Sequence, residues 1–101
     1  MESEMGNLNR AISVYVGWKI SPFPKLDETR VLDFFGPAAG TVLLSRLNPL
    51  VRELEAIRPN WEEHDLVSAS KWAVGVLVSR HPHLADEGKA ALEWLYSWWW
   101  K

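Results

Sequence analysis

The chain has 101 residues, of which 48% are hydrophobic and 24% are charged, and its formal net charge is −2. This length and hydrophobic fraction are enough for one core and exclude a disordered chain. Eleven Lys and Arg against thirteen Asp and Glu disfavour nucleic-acid binding, which needs a clustered basic face. The absence of cysteine excludes disulfides, thiolate metal ligands and cysteine nucleophiles. We expect a single domain spanning residues 1–101.

The N-terminus and the apolar runs bear on location. Met1, Glu2, Ser3 and Glu4 are acidic or polar, whereas a secretory signal begins with basic residues followed by an apolar stretch. No apolar run approaches the ~20 residues that span a bilayer. The sequence therefore predicts a cytoplasmic protein without a membrane partner.

The first periodic segment, residues 8–19, supports two interpretations. Helical spacing, with Gly17 placed to end the helix, is shown by Leu8, Ala11, Ile12, Tyr15 and Val16. Strand alternation is shown by Ile12, Val14, Val16, Trp18 and Ile20. No second strand of similar quality is available to pair with it, so we predict a helix. A strand here would instead indicate an α+β fold or a strand-exchanged dimer.

Two further helices follow a connector that contains Pro22 and Pro24. Asp27 is a suitable N-cap for a short helix, which Gly36 and Pro37 should end. A second apolar stripe runs along Leu43, Leu47, Leu50, Leu54 and Ile57. The stripe stays in phase across Pro49, but this proline should interrupt a backbone hydrogen bond. Asn48 could cap a new helix with Pro49 at its first position, so one bent helix or two nearly collinear helices are expected.

Residues 62–79 are apolar around most of a helical wheel and leave only a narrow polar stripe. Such a helix must be surrounded, so we expect it at the centre of a bundle. The core is predicted to include Leu54, Leu66, Ala73, Leu77, Trp94 and Leu95.

The last helix should begin near Asp86, whose residue type suits an N-cap, and end in three consecutive tryptophans. Trp98, Trp99 and Trp100 fan over about 200° of a helix, so they cannot all enter one core. We predict that one of them is exposed. Together the segments indicate an all-α, single-domain, irregular bundle of four to five helices.

Candidate catalytic chemistry is weak throughout the chain. His64, His81 and His83 carry metal-ligating atoms, but a His-Pro-His turn without further ligands is typical of an exposed connection. No Gly-x-Ser-x-Gly elbow, catalytic triad order or glycine-rich phosphate loop is present. We therefore predict no enzyme, no catalytic residue, no metal, no cofactor and no small-molecule substrate.

Two features indicate a protein partner. One is an acidic group, formed by Glu53, Glu55, Glu62, Glu63 and Asp65. These carboxylates either stabilise the positive end of a helix dipole, with Asn60 and Glu63 as a capping box, or bind a basic partner. The C-terminal tryptophans either seal the bundle or anchor a partner. The predicted partner-binding residues are Glu62, Glu63, Asp65, Trp99 and Trp100.

The final part of the chain, residues 61–101, resembles small cytoplasmic all-helical bacterial immunity proteins. The similarity rests on His81-Pro82, Leu84, Asp86-Glu87, Ala91-Leu92, the aromatic ending from Tyr96 to Trp100, and Lys101. It implies a non-catalytic protein that neutralises a toxin by stoichiometric occlusion. Ala85 departs from the hydroxyl cap expected at its position, and no functional residue is carried over. The alternative is a structural or regulatory interaction module, such as an obligate homodimer formed through its own aromatic stripe.

Overall fold

A computed structural model describes residues 4–100 and confirms the all-α prediction. Within these residues there are five helices and no strand: α1 Glu4–Val16, α2 Glu28–Phe35, α3 Pro37–Ala56, α4 Leu66–Arg80 and α5 Asp86–Trp99. Residues 1–3, used above to argue for location, and Lys101 lie outside the described residues.

Helix α1 lies at the centre of the bundle, packed against α2, α3 and α5. Every residue from Ala11 to Gly17 is buried, as are Leu8 and Asn9. Because the run from Ala11 to Gly17 is buried on every side, its apolar residues fall at positions that fit strand alternation as well as helical spacing. The helix interpretation is confirmed, and the strand alternative is wrong.

The C-terminal end of α1 is capped by groups from the following connector and α2. Gly17 adopts a φ of 88°, a conformation that favours glycine, and turns the chain. The Arg30 guanidinium donates to the carbonyls of Val14 and Tyr15 at 3.1 and 3.2 Å, and also to the carbonyl of Lys25. These bonds satisfy carbonyls that a helix end leaves without partners. They fix α2 against α1.

The short helix α2 and the long helix α3 follow the predicted signals closely. Asp27 caps α2 by accepting a hydrogen bond from the Thr29 amide at 3.0 Å. Pro37 occupies the first position of α3, so the Gly-Pro pair both ends one helix and starts the next. α3 continues through Pro49 as one helix, and Asn48 accepts a hydrogen bond from the Tyr15 hydroxyl at 2.8 Å instead of capping a new helix.

Helix α4 is peripheral, so the prediction that residues 62–79 form the central helix is wrong. It begins at Leu66 and packs mainly against α5 and, less extensively, against α3. Val67 is 64% exposed and Trp72 is 40% exposed. The predicted core is confirmed for Leu54, Ala73, Leu77 and Leu95, whereas Leu66 and Trp94 are only half-buried. Leu66 of α4 and Trp94 of α5 both lie where their helix borders solvent.

Helix α5 starts without the predicted aspartate cap. Ala85 occupies the N-cap position and makes no side-chain capping bond. The buried Asn9 side chain of α1 instead accepts from the Ala85 amide at 2.7 Å and donates to the His83 carbonyl at 3.1 Å. Gly88 permits this close approach, because a Cβ atom there would lie 2.5 Å from the Asn9 Oδ1. An asparagine from another helix therefore anchors the turn before α5.

Candidate protein-binding surface

The connection between α3 and α4 holds Glu62 and Glu63 in a turn. The Asn60 side chain accepts from the Glu62 amide at 3.0 Å, and the Asn60 carbonyl accepts from the amides of Glu63 and His64 at 3.0 and 3.1 Å. These bonds form a compact turn that precedes the helix. The expected helix start at residue 62 and the capping box of Asn60 with Glu63 are wrong. Both glutamate side chains are exposed to solvent.

Asp65 is the actual cap of α4. Its carboxylate accepts from the Ser68 amide at 2.8 Å, and the Ser68 hydroxyl accepts from the Asp65 amide at 3.1 Å, which completes a capping box. Hydrogen bonds from the Ser68 backbone and side chain hold the pKa of Asp65 below its usual value. Asp65 is exposed to solvent, yet its carboxylate is already engaged in capping α4.

The C-terminal tryptophans differ in their exposure to solvent. Trp98 is the exposed one, at 42% of its surface. Trp99 and Trp100 are half-buried against the core, with ring centroids 6.4 and 6.2 Å from that of Tyr96. Tyr96 itself is fully buried, and burial raises the pKa of its hydroxyl. Trp99 and Trp100 therefore cover the end of the bundle and leave part of each ring exposed.

Trp61 joins the aromatic end of the chain to the acidic turn. Its ring centroid lies 5.7 Å from that of Trp100, and the Arg58 guanidinium lies 5.1 Å from the Trp100 ring. The Tyr96 hydroxyl donates to the Ile57 carbonyl at 2.7 Å and so fixes the start of the connection. Trp61 is 45% exposed. Sequence reasoning missed this residue, although it directly precedes Glu62.

Four of the five predicted residues lie close together: Glu62 and Glu63 adjoin Trp61 in the chain, and Trp61 contacts Trp100, which follows Trp99. The fifth, Asp65, caps α4 and is not included. We name the surface formed by Trp61, Glu62, Glu63, Trp99 and Trp100 the acidic aromatic surface. A cleft of about 280 Å³ beside it is lined by Glu55, Arg58, Trp99 and Trp100. It combines a carboxylate, a guanidinium and indole rings, with no nucleophile paired to a base. Indole rings and guanidinium groups are among the side chains enriched at protein–protein interfaces.

Glu53, at the other end of the acidic group, has a separate role. Its carboxylate accepts hydrogen bonds from His81 at 2.8 Å and from Arg80 at 3.0 Å. The His81 bond, followed by the Arg80 bond, lowers the pKa of Glu53. These contacts tie the C-terminal end of α4 to α3. Among residues 4–100 no three His, Asp or Glu side chains are grouped as metal ligands.

The fold and surface define a small helical bundle with an exposed aromatic and acidic face. No family model matches the chain, and neither does any curated protein or solved structure. In the described part of the chain, no helix has the length and apolarity needed to cross a bilayer.

Proposed function

We propose that the chain is a non-catalytic binding protein of the immunity or antitoxin kind, which neutralises a partner toxin by stoichiometric occlusion. The observation that carries the proposal is the contact between Trp61 and Trp100, because it places aromatic rings beside Glu62 and Glu63 on one accessible surface. The resemblance of residues 61–101 to bacterial immunity proteins supports the same function.

The two components of this surface have different tasks in such an inhibitor. Exposed carboxylates attract a basic partner and increase the rate of encounter. Aromatic side chains that lose their remaining solvent contact on binding slow dissociation, because tryptophan is among the residues that dominate interface energies. Neither task needs an aligned acid, base or metal.

The indole rings are also held in place before binding. Trp100 packs on Tyr96, and the Tyr96 hydroxyl bonds the start of the connection that carries Trp61. Fewer side-chain rotamers then remain to be lost on association, which favours affinity. A cytoplasmic site of action completes the proposal and rests on the sequence expectation alone.

A titration against a toxin encoded beside the gene tests the function. We expect the activity of the purified toxin to fall linearly with added chain and to reach its floor at one chain per toxin. A chain carrying Trp61→Ala, Glu62→Lys and Glu63→Lys should protect poorly while retaining the helical circular dichroism of the wild type. Turnover of the toxin or of its substrate by the chain at catalytic ratios would contradict occlusion.

A further inference from the structure

A second surface, distinct from the acidic aromatic surface, lies where the connector after α1 meets α4 and α5. We name it the apolar face, and it consists of Trp18, Phe23, Val67, Trp94 and Trp98. The ring centroids of Trp18 and Trp94 are 5.3 Å apart, and Phe23 stacks on Trp98 with centroids 6.1 Å apart. Trp94 and Trp98 are one helical turn apart on α5, so the two aromatic pairs are adjacent.

Val67 extends this face from α5 onto α4. It lines a groove of about 300 Å³ together with Trp18 and Trp94, and the other lining residues are Ser70, Ala90, Glu93 and Ser97. The groove is open, and its walls are mostly apolar side chains. The apolar face is therefore a continuous surface built from three segments of the chain.

The exposed area of this face is comparable with the largest apolar patch of a typical monomeric protein. Phe23 and Trp98 are 45% and 42% exposed, which for side chains of 150–250 Å² leaves about 200 Å² accessible on these two residues. Val67 at 64% exposure and the half-buried Trp18 and Trp94 bring the total to about 300–400 Å², within the range of functional patches. A dimer interface buries about 800 Å² per partner around an apolar core, and this patch is sufficient for that core.

Charges at the edge of the apolar face have both signs. Glu93 of α5 lines the groove. Lys71 of α4 is exposed and lies one helical turn after Val67. A partner that is uniformly basic or acidic would leave one of these charges opposed by a like charge. A second copy of the chain, related by a two-fold axis, can place Glu93 of each copy near Lys71 of the other.

We propose that the apolar face is the interface of a symmetric homodimer. The second copy covers the side of α4 that carries Val67, the exposed flank of a helix that is apolar around most of its circumference. The acidic aromatic surface stays accessible in this dimer, so each copy can hold one partner. Formation of the dimer does not require the toxin partner.

Matched substitutions measured by sedimentation equilibrium test the dimer. The wild type should sediment at twice the chain mass of 11.6 kDa at micromolar concentration. Val67→Asp and Trp98→Ser should each raise the dimer dissociation constant about tenfold or more, as expected for central interface residues. The controls are Val42→Asp and Trp72→Ser, whose side chains are 57% and 40% exposed outside the apolar face. They should leave the dissociation constant unchanged.

A cross-linking experiment locates the interface directly. The chain contains no cysteine, so a single introduced thiol reports on one position. Ser97→Cys, in the wall of the groove, should give a covalent dimer with a short bismaleimide, whereas Ser79→Cys on the outer side of α4 should not. A wild type that remains monomeric at 100 times this concentration, or controls that dissociate the dimer as strongly as Val67→Asp, would overturn the proposal.

Discussion

Helix α4 is more apolar in sequence than α1, yet the fold places α1 at the centre of the bundle and α4 at its periphery. α1 is surrounded by three helices and buries six consecutive residues from Ala11 to Val16. α4 packs mainly against two helices and exposes Val67 and Trp72. Apolar residues on many sides of a helix therefore do not by themselves mean that the same chain surrounds it. In α4 they leave an exposed flank, which we assign to a partner copy.

Truncation of one β-branched residue in each helix should separate the two environments most strongly. Ile12 of α1 is 2% exposed, so Ile12→Ala should lower the free energy of unfolding by about 2–5 kcal/mol through cavity formation. Val67→Ala in α4 should change it by about 0.5 kcal/mol or less in the monomer, since that side chain is already in solvent. Urea denaturation at dilute concentration measures both. Equal losses would mean that α4 is as buried as α1.

Substitution of one polar residue in each helix should show the same contrast between α1 and α4, with smaller changes in the free energy of unfolding. Asn9→Leu removes both hydrogen bonds from α1 to the turn before α5 and leaves the Ala85 amide and the His83 carbonyl without that partner. We expect a loss of about 1–3 kcal/mol. Ser79→Ala in α4 removes only an exposed bond to the Val76 carbonyl and should cost little. Thermal unfolding of the two variants compares their stabilities. An Asn9→Leu variant as stable as the wild type would contradict the anchoring role of Asn9.

A glycine in α4 should sharpen the comparison further. Gly75 is exposed, and a Cβ atom placed there would meet no atom within 4 Å. Gly75→Ala should therefore raise the free energy of unfolding by about 0.5–1 kcal/mol, because alanine has the higher helix propensity. Denaturant midpoints give the value. A destabilised variant would indicate that another element of the chain packs on this side of α4.

The stability that the Glu53 contacts between α3 and α4 contribute should depend weakly on pH. The pKa of Glu53 is lowered in the folded state, so its contribution to stability is present at neutral pH and is lost as pH falls through the folded pKa. The pair with Arg80 is partly exposed, which limits the contribution to about 1 kcal/mol or less. The difference in unfolding free energy between wild type and Glu53→Gln should shrink below pH ~4. A difference that grows below pH ~4 would contradict this assignment.

The sequence predicts most of the fold because caps and apolar stripes are local signals. Asp27, Pro37 and the stripe from Leu43 to Ile57 are found as expected. The position of α4 could not be predicted, since hydrophobicity alone does not identify what covers a helix. The predicted surface was incomplete for a related reason. Trp61 and Trp100 are brought into contact by the tertiary structure, and they are too far apart in the sequence for any local pattern to include both.

Binding kinetics with the partner toxin test the central claim, that function lies in the acidic aromatic surface. Glu62→Lys combined with Glu63→Lys should slow association about tenfold at low salt and progressively less as salt screens the charges. Trp61→Ala should instead raise the dissociation rate about tenfold or more, with little change in association. Phe34→Ala, which removes an exposed aromatic ring from α2, is the control and should leave both rates unchanged. Unchanged rates in both acidic and aromatic variants would contradict the account and place the interface elsewhere on the bundle.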